Sequence, residues 1–129
     1  MNKLVISIVL LFGAASLSAC LDLSSATSKE VNVLGSFPSP TQSYVATSYN
    51  TSGGGAPGWC YVQVNVRKLS EQFDSDGGVV FTTRCNVKPD VKWESERKLS
   101  ISYPADAIVY TQKKVWGKDE PVEISFLPQ

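Results

Sequence analysis

Residues 60–67 read Cys-Tyr-Val-Gln-Val-Asn-Val-Arg, and a second cysteine stands at position 85. Strict alternation of apolar and polar side chains is the signature of a half-buried β-strand. Val79–Cys85 reads as a second strand, and Asp74–Gly78 supplies the turn chemistry between them. If the two segments form an antiparallel hairpin with Cys60 opposite Cys85, then Val62 faces Thr83, Val64 faces Phe81 and Val66 faces Val79. All of these lie on one side, because successive side chains alternate along a strand. Tyr61, Gln63, Asn65 and Arg67 then occupy the other side. A slip of one residue would drive this polar set into the core. The apolar pattern and the cysteine pair thus select the same register, which limits the possible folds more than any other feature of the chain.

The remaining segments agree with it. Tyr44–Tyr49, Val91–Trp93, Leu99–Tyr103, Ile108–Val115 and Val122–Phe126 all read as strands, separated by Gly, Pro, Asn, Asp and Ser. Gly53–Gly58 reads as a loop and Lys68–Phe73 as one helical turn. No segment carries a sustained helical period. The expected fold is all-β: a small antiparallel sandwich or meander of about 6–8 strands, with one hairpin-bridging disulfide if Cys60 and Cys85 are joined.

The front of the chain does not belong to that domain. Lys3 is followed by an almost wholly apolar run from Leu4 to Ala15. The run is too short for a permanent membrane helix, which needs about 20 residues, and has the length of the apolar part of an export signal. For a cut before Cys20, Leu17 would sit three residues upstream, where ordinary signal peptidase requires a small side chain. Leu17-Ser18-Ala19-Cys20 instead resembles the lipobox of bacterial lipoproteins. The resemblance implies cleavage between Ala19 and Cys20 and a diacylglyceryl thioether on the Cys20 sulfur. Thiolate nucleophilicity is the physical reason that a cysteine is needed there. It also implies further palmitate-class acylation, since one acyl chain holds a protein only marginally and two or more hold it durably. In enterobacterial lipoproteins an aspartate directly after the cysteine retains the protein in the inner membrane. Here Leu21 follows and the aspartate is Asp22, which implies the outer membrane if the source has one. The expected organisation is a signal peptide over residues 1–19, a lipidated N-terminus and tether over 20–36, and a single β domain over 37–129.

Charge and cysteine arithmetic fit that picture. The chain has 12 basic and 12 acidic residues. Removal of residues 1–19 takes Lys3 alone among them, leaving a net charge of −1. No basic field is available to attract nucleic acid. Of the 3 cysteines, lipidation of Cys20 would leave Cys60 and Cys85, which an oxidising compartment favours joining.

A wider resemblance rests on Ser39-Pro40 with Tyr44 and Ala46, the Gly53–Gly58 loop, Val62/Val64/Val66, Gly78-Val79-Val80-Phe81, and Trp93 with Leu99, Ile101 and Tyr103. Over about residues 38–126 the chain is similar to a group of small bacterial proteins, many of which begin with a lipoprotein signal and continue into an all-β domain. Members commonly carry Asp-Gly after the Ser-Pro, where this chain has Thr41-Gln42. The resemblance brings no activity, substrate or catalytic residue with it.

The chemistry of the side chains narrows the function further. There is no histidine, so a Ser-His-Asp or Cys-His site cannot be assembled within this chain. The segment "GGGAPGW" (53–59) lacks the Gly-Lys-Ser/Thr ending of a phosphate loop and reads as a hairpin loop. "DSDGG" (74–78) resembles part of a calcium loop without its downstream bidentate glutamate, and reads as a turn. Lys113, Lys114 and Lys118 are balanced by Asp119 and Glu120. Neither a metal nor a cofactor is expected. Glu94 and Glu96 could form a carboxylate pair of the glycosidase type, against a plain solvated rim. Trp59, Tyr61, Trp93, Tyr103, Tyr110 and Trp116 are large aromatics, of which some could form an exposed platform while most fill the core. Tyr61, Gln63, Asn65 and Arg67 are the candidate binding patch.

Together these features predict a lipid-anchored envelope protein, held to the membrane through Cys20, that binds an envelope protein or polymer without enzymatic activity. The alternatives are a periplasmic inhibitor or immunity lipoprotein, and an envelope hydrolase using Glu94 and Glu96.

Overall fold

The computed structural model describes residues 29–129. The expected signal segment, the cleavage and lipidation site at Ala19 and Cys20, and the tether as far as residue 28 lie outside the described residues. Nine strands follow one another without a helix among the described residues: β1 (Glu30–Pro38), β2 (Tyr44–Gly53), β3 (Trp59–Lys68), β4 (Val79–Arg84), β5 (Asp90–Ser95), β6 (Lys98–Tyr103), β7 (Val109–Gln112), β8 (Val115–Trp116) and β9 (Val122–Pro128). They form a five-stranded sheet in the order β1-β2-β3-β4-β7 and a four-stranded sheet in the order β5-β6-β9-β8. All pairings are antiparallel except β6 with β9. The all-β fold read from the sequence is the observed one, and of the expected sandwich or meander the chain adopts the two-sheet arrangement.

The two sheets close on one core. The larger contributes Tyr44, Ala46, Val64, Val66, Val80 and Phe81, and the smaller Val91, Leu99, Ile101, Val122 and Ile124. Phe81 bridges the layers, with its ring centroid 5.1 Å from Tyr103 and 6.0 Å from Phe126. The Trp93 indole N–H donates to the Phe37 carbonyl at 2.7 Å and ties β5 to the end of β1.

The hairpin that anchors the sequence reading is present. Cys60 and Cys85 are joined, with Cα atoms 5.5 Å apart, and Val62 faces Thr83 while Val64 faces Phe81. The expected pairing of Val66 with Val79 is not formed. A bulge shifts the register so that Asn65 faces Val79, and the Val66 N–H donates to the Gly78 carbonyl. The shift turns both Val80 and Phe81 inward, and each is 0% exposed. Gly78, at φ +66°, lies against the Val66 carbonyl, where a Cβ has no room.

Other boundaries move for physical reasons. Residues 30–36, expected to be part of a tether, belong to the domain instead, since β1 begins at Glu30 and pairs along β2 from Glu30↔Ser52 to Pro38↔Val45. As an edge strand with most residues exposed, it needs no apolar alternation to form. The Ile108–Val115 segment divides into β7 in one sheet and β8 in the other. At the crossing, Lys113 N–H bonds the Val80 carbonyl and Ile124 N–H bonds the Lys114 carbonyl. These two changes raise the strand count above the expected range. The helical turn expected at Lys68–Phe73 is a plain turn, Glu71 N–H to Lys68 C=O, leading into a segment that folds back over the larger sheet.

Candidate binding face

The outer face of the larger sheet is divided in two. Tyr61, Gln63, Asn65 and Arg67 do project from the face of β3 opposite Val62, Val64 and Val66, but they have different fates. Asn65 is 1% exposed. Its amide donates to the Asp74 carbonyl at 2.9 Å and to the Gly77 carbonyl at 3.2 Å. Arg67 donates to Thr47 Oγ1 at 2.8 Å and to the Glu71 carbonyl at 3.2 Å, and its guanidinium lies 5.6 Å from the Phe73 ring centroid. Tyr49, also on this face, is 0% exposed. It packs edge-on to Phe73 at 5.0 Å and donates its hydroxyl to the Ser75 carbonyl at 2.7 Å. Burial, followed by the nearby Asp76 and Asp74 carboxylates, pushes the Tyr49 hydroxyl well above its usual range. The 69–78 segment is therefore a lid over half of the sheet, and the candidate patch is corrected accordingly: Asn65 and Arg67 hold the lid and are withdrawn from any open binding surface.

The other half is open. Trp59 and Tyr61, two apart on β3, stack with centroids 5.9 Å apart and planes 29° from parallel. Tyr110 of β7 meets Tyr61 edge-on at 5.5 Å. Trp59 is 38% exposed and Tyr110 52%, large values for side chains of this size. Arg84 faces Tyr61 across the ladder and donates from Nε to the Tyr110 hydroxyl at 3.1 Å. That bond is the main cause holding the Arg84 guanidinium above its usual pKa. Beside it runs a polar row whose threonines are buried: Thr51 Oγ1 donates to Gln63 Oε1 at 3.0 Å, and Gln63 Nε2 donates to Thr82 Oγ1 at 3.5 Å.

Local sequence explains why the ledge is firm. The loop after β2 packs directly on Trp59, and a Cβ on Gly54 would lie 2.8 Å from its Cδ1. Gly54 also sits at φ +83°, so both space and backbone require glycine. The Cys60–Cys85 bridge joins the residues next to Trp59, Tyr61 and Arg84. Of the six aromatics singled out from the sequence, Trp59, Tyr61 and Tyr110 form the ledge, while Trp93, Tyr103 and Trp116 pack against the core. Arg84 was not a sequence candidate, although the cysteine-defined register places it opposite Tyr61.

The remaining candidates have structural partners. Glu96 accepts from Ser39 Oγ and from the Thr41 N–H, both at 2.8 Å. Hydrogen bonds from Thr41 and Ser39 hold its carboxyl below the usual value, the opposite of what a general acid needs. Glu94 accepts from Ser100 Oγ at 3.0 Å. In the 74–78 turn, Asp74 Oδ1 accepts the Asp76 N–H and Asp76 pairs with Lys29 at 2.7 Å. Among the described residues, no three His, Cys, Asp or Glu side chains gather as a metal site would require, and no helix is long and apolar enough to cross a membrane. No family model, curated protein or solved structure matches this chain.

Proposed function

We propose that this is a lipid-anchored protein of the bacterial envelope, attached through Cys20, whose β domain binds an envelope component on the open half of its larger sheet and does no chemistry on it. The anchor is supported by the apolar run ending in Leu17-Ser18-Ala19-Cys20. A tether of residues 21–28 would let the domain stand off the membrane by at most roughly 30 Å. The observation that carries the binding reading is the ledge of Trp59, Tyr61 and Tyr110 with Arg84 beside it. Solvent-exposed aromatic rings on a braced sheet are costly to leave uncovered and are typical anchors for a partner. The hydrolase alternative draws no support from Glu96, both of whose oxygens hold the Ser39–Thr41 turn, or from Glu94, whose Oε1 accepts from Ser100.

The test is made in whole cells. Membrane fractionation and intact-mass measurement should find an acylated mature chain beginning at Cys20. A photo-crosslinker in place of Tyr110 should capture a reproducible partner, and one in place of Lys92, on the other sheet, should not. An uncleaved, unacylated amino terminus overturns the anchor. Identical capture from both positions overturns the binding face.

A further inference from the structure

We infer that the partner of the ledge is a saccharide chain bearing carboxylates; this rests on reading the ledge as a binding face. Three features select that chemistry. The first is shape. Trp59, Tyr61 and Tyr110 are contiguous rings, and Trp59 and Tyr110 are exposed. The C–H face of a sugar ring can stack on an exposed aromatic face of this kind. The second is the border. The half-buried Gln63 lies beside Tyr61, its amide held in place by the buried Thr51 and Thr82 hydroxyls, and a fixed amide at the edge of the rings suits a partner covered in hydroxyls. The third is charge. Arg84 uses Nε on Tyr110, while its two terminal nitrogens bond no described residue and pair with no described carboxylate. A guanidinium fork presented beside an aromatic ring matches a carboxylate in geometry and sign. Arg84 also borders a cleft of about 360 Å³ shared with Asn86, Asp106 and Ile108. The Asp106 carboxylate repels an acidic group from that cleft, so the ligand's carboxylate belongs on the Tyr110 side of Arg84.

The experiment uses the full chain in detergent micelles, with tryptophan fluorescence as the readout and Trp59→Phe to assign the signal. The probes are oligogalacturonate, peptide-free glycan strands containing muramic acid, and neutral cello-oligosaccharides. The first two separate uronate polymers from cell-wall glycan as the source of the carboxylate. Saturable binding of at least one carboxylated probe is expected. Arg84→Gln should weaken it about tenfold or more, the scale of a lost charge-assisted pair, and should weaken any neutral binding by less. Tyr110→Ala should weaken both, and Asp106→Asn should strengthen the acidic probe. Circular dichroism confirms that each variant is folded. No saturable binding of either carboxylated probe overturns the inference, as does an Arg84→Gln variant that binds them unchanged. If crosslinking from the Tyr110 position retrieves a protein while no saccharide binds, the saccharide falls and the binding face stands. If neither is seen, both fall.

Discussion

Asn65→Asp changes almost no volume, yet it should be among the most damaging substitutions in the domain. The Asn65 NH2 group donates to both the Asp74 and Gly77 carbonyls, while its Oδ1 has no protein partner. All of its anchoring of the 69–78 lid therefore comes from the donor end. A carboxylate removes both hydrogen bonds, each worth about 1 kcal/mol net. It also faces two carbonyl oxygens across a site that is 1% exposed. Asp74 O keeps a second donor in the Gly77 N–H, so Gly77 O is the carbonyl left without one, at about 1–3 kcal/mol. The total is about 3–5 kcal/mol near pH 7, a large share of the stability of a domain this size. The molecule can limit the loss by opening the lid, so the observed value is the smaller of this figure and the free energy of lid opening. Urea denaturation with hydrogen exchange of residues 69–78 separates the two. Because a protonated carboxyl regains one donor, the deficit should shrink as pH falls from about 7 to about 5. A variant within about 0.5 kcal/mol of the parent at pH 7, with unchanged exchange in 69–78, would refute the reasoning.

The distinction between what was legible in the sequence and what was not follows from periodicity. Strand β3 carries it on both faces, and the cysteines fix its partner, so the hairpin register could be written down residue by residue. The bulge could not, yet it left a trace. Val79-Val80-Phe81 places apolar residues consecutively, and two neighbours such as Val80 and Phe81 can both turn inward only where the alternation is interrupted. Strand β1 escaped notice because an edge strand exposes most of its length and shows no period. The lid escaped for a related reason. "SEQFDSDGG" has Phe73 as its one large apolar side chain, and nothing local says that this ring returns to Tyr49. Asn65 and Arg67 consequently read as open surface. For the ledge, Tyr61 and Gln63 came from the alternation and Trp59 and Tyr110 from the count of aromatics, but only the fold separates them from Trp93 and Trp116.

Three further outcomes follow. Replacing both Cys60 and Cys85 with Ala should lower stability by about 3.5 kcal/mol on the loop-entropy relation for a sequence separation of 25; urea curves should show it, and a reducing agent should erase the difference from the parent. Gly78→Ala should cost at least about 2 kcal/mol, since it demands a positive φ from alanine and room where the Val66 carbonyl stands; thermal unfolding within a degree of the parent would contradict it. The folded-state pKa of Glu96 is lowered, so its contribution is present above the ordinary value of 4.5 and fades as pH falls through the lower folded value; melting from about pH 7 to about pH 3 should therefore show Glu96→Gln deficient at the upper end and converging with the parent at the lower.

The lid and the disulfide solve one problem at opposite ends of the same strand. The outer side of β3 is too polar to be packed under a second sheet, so each of its ends needs another means of being held. At the Arg67 end, the 69–78 segment supplies the missing cover through Phe73 and the Asn65 and Arg67 hydrogen bonds. At the Trp59 end no described segment covers the sheet, and there the chain carries the Cys60–Cys85 bridge and the closely packed glycine loop. A covalent clamp holds β3 and β4 together where noncovalent cover is missing, and it does so without occupying the outer face. Fixing Trp59, Tyr61 and Arg84 in advance also lowers the ordering entropy that a ligand would otherwise have to overcome. Stability alone would be served equally well by extending the lid along the whole of β3. Half of the sheet left uncovered by the described residues, with aromatic rings on it and a covalent brace beside them, is the arrangement that the proposed binding role requires.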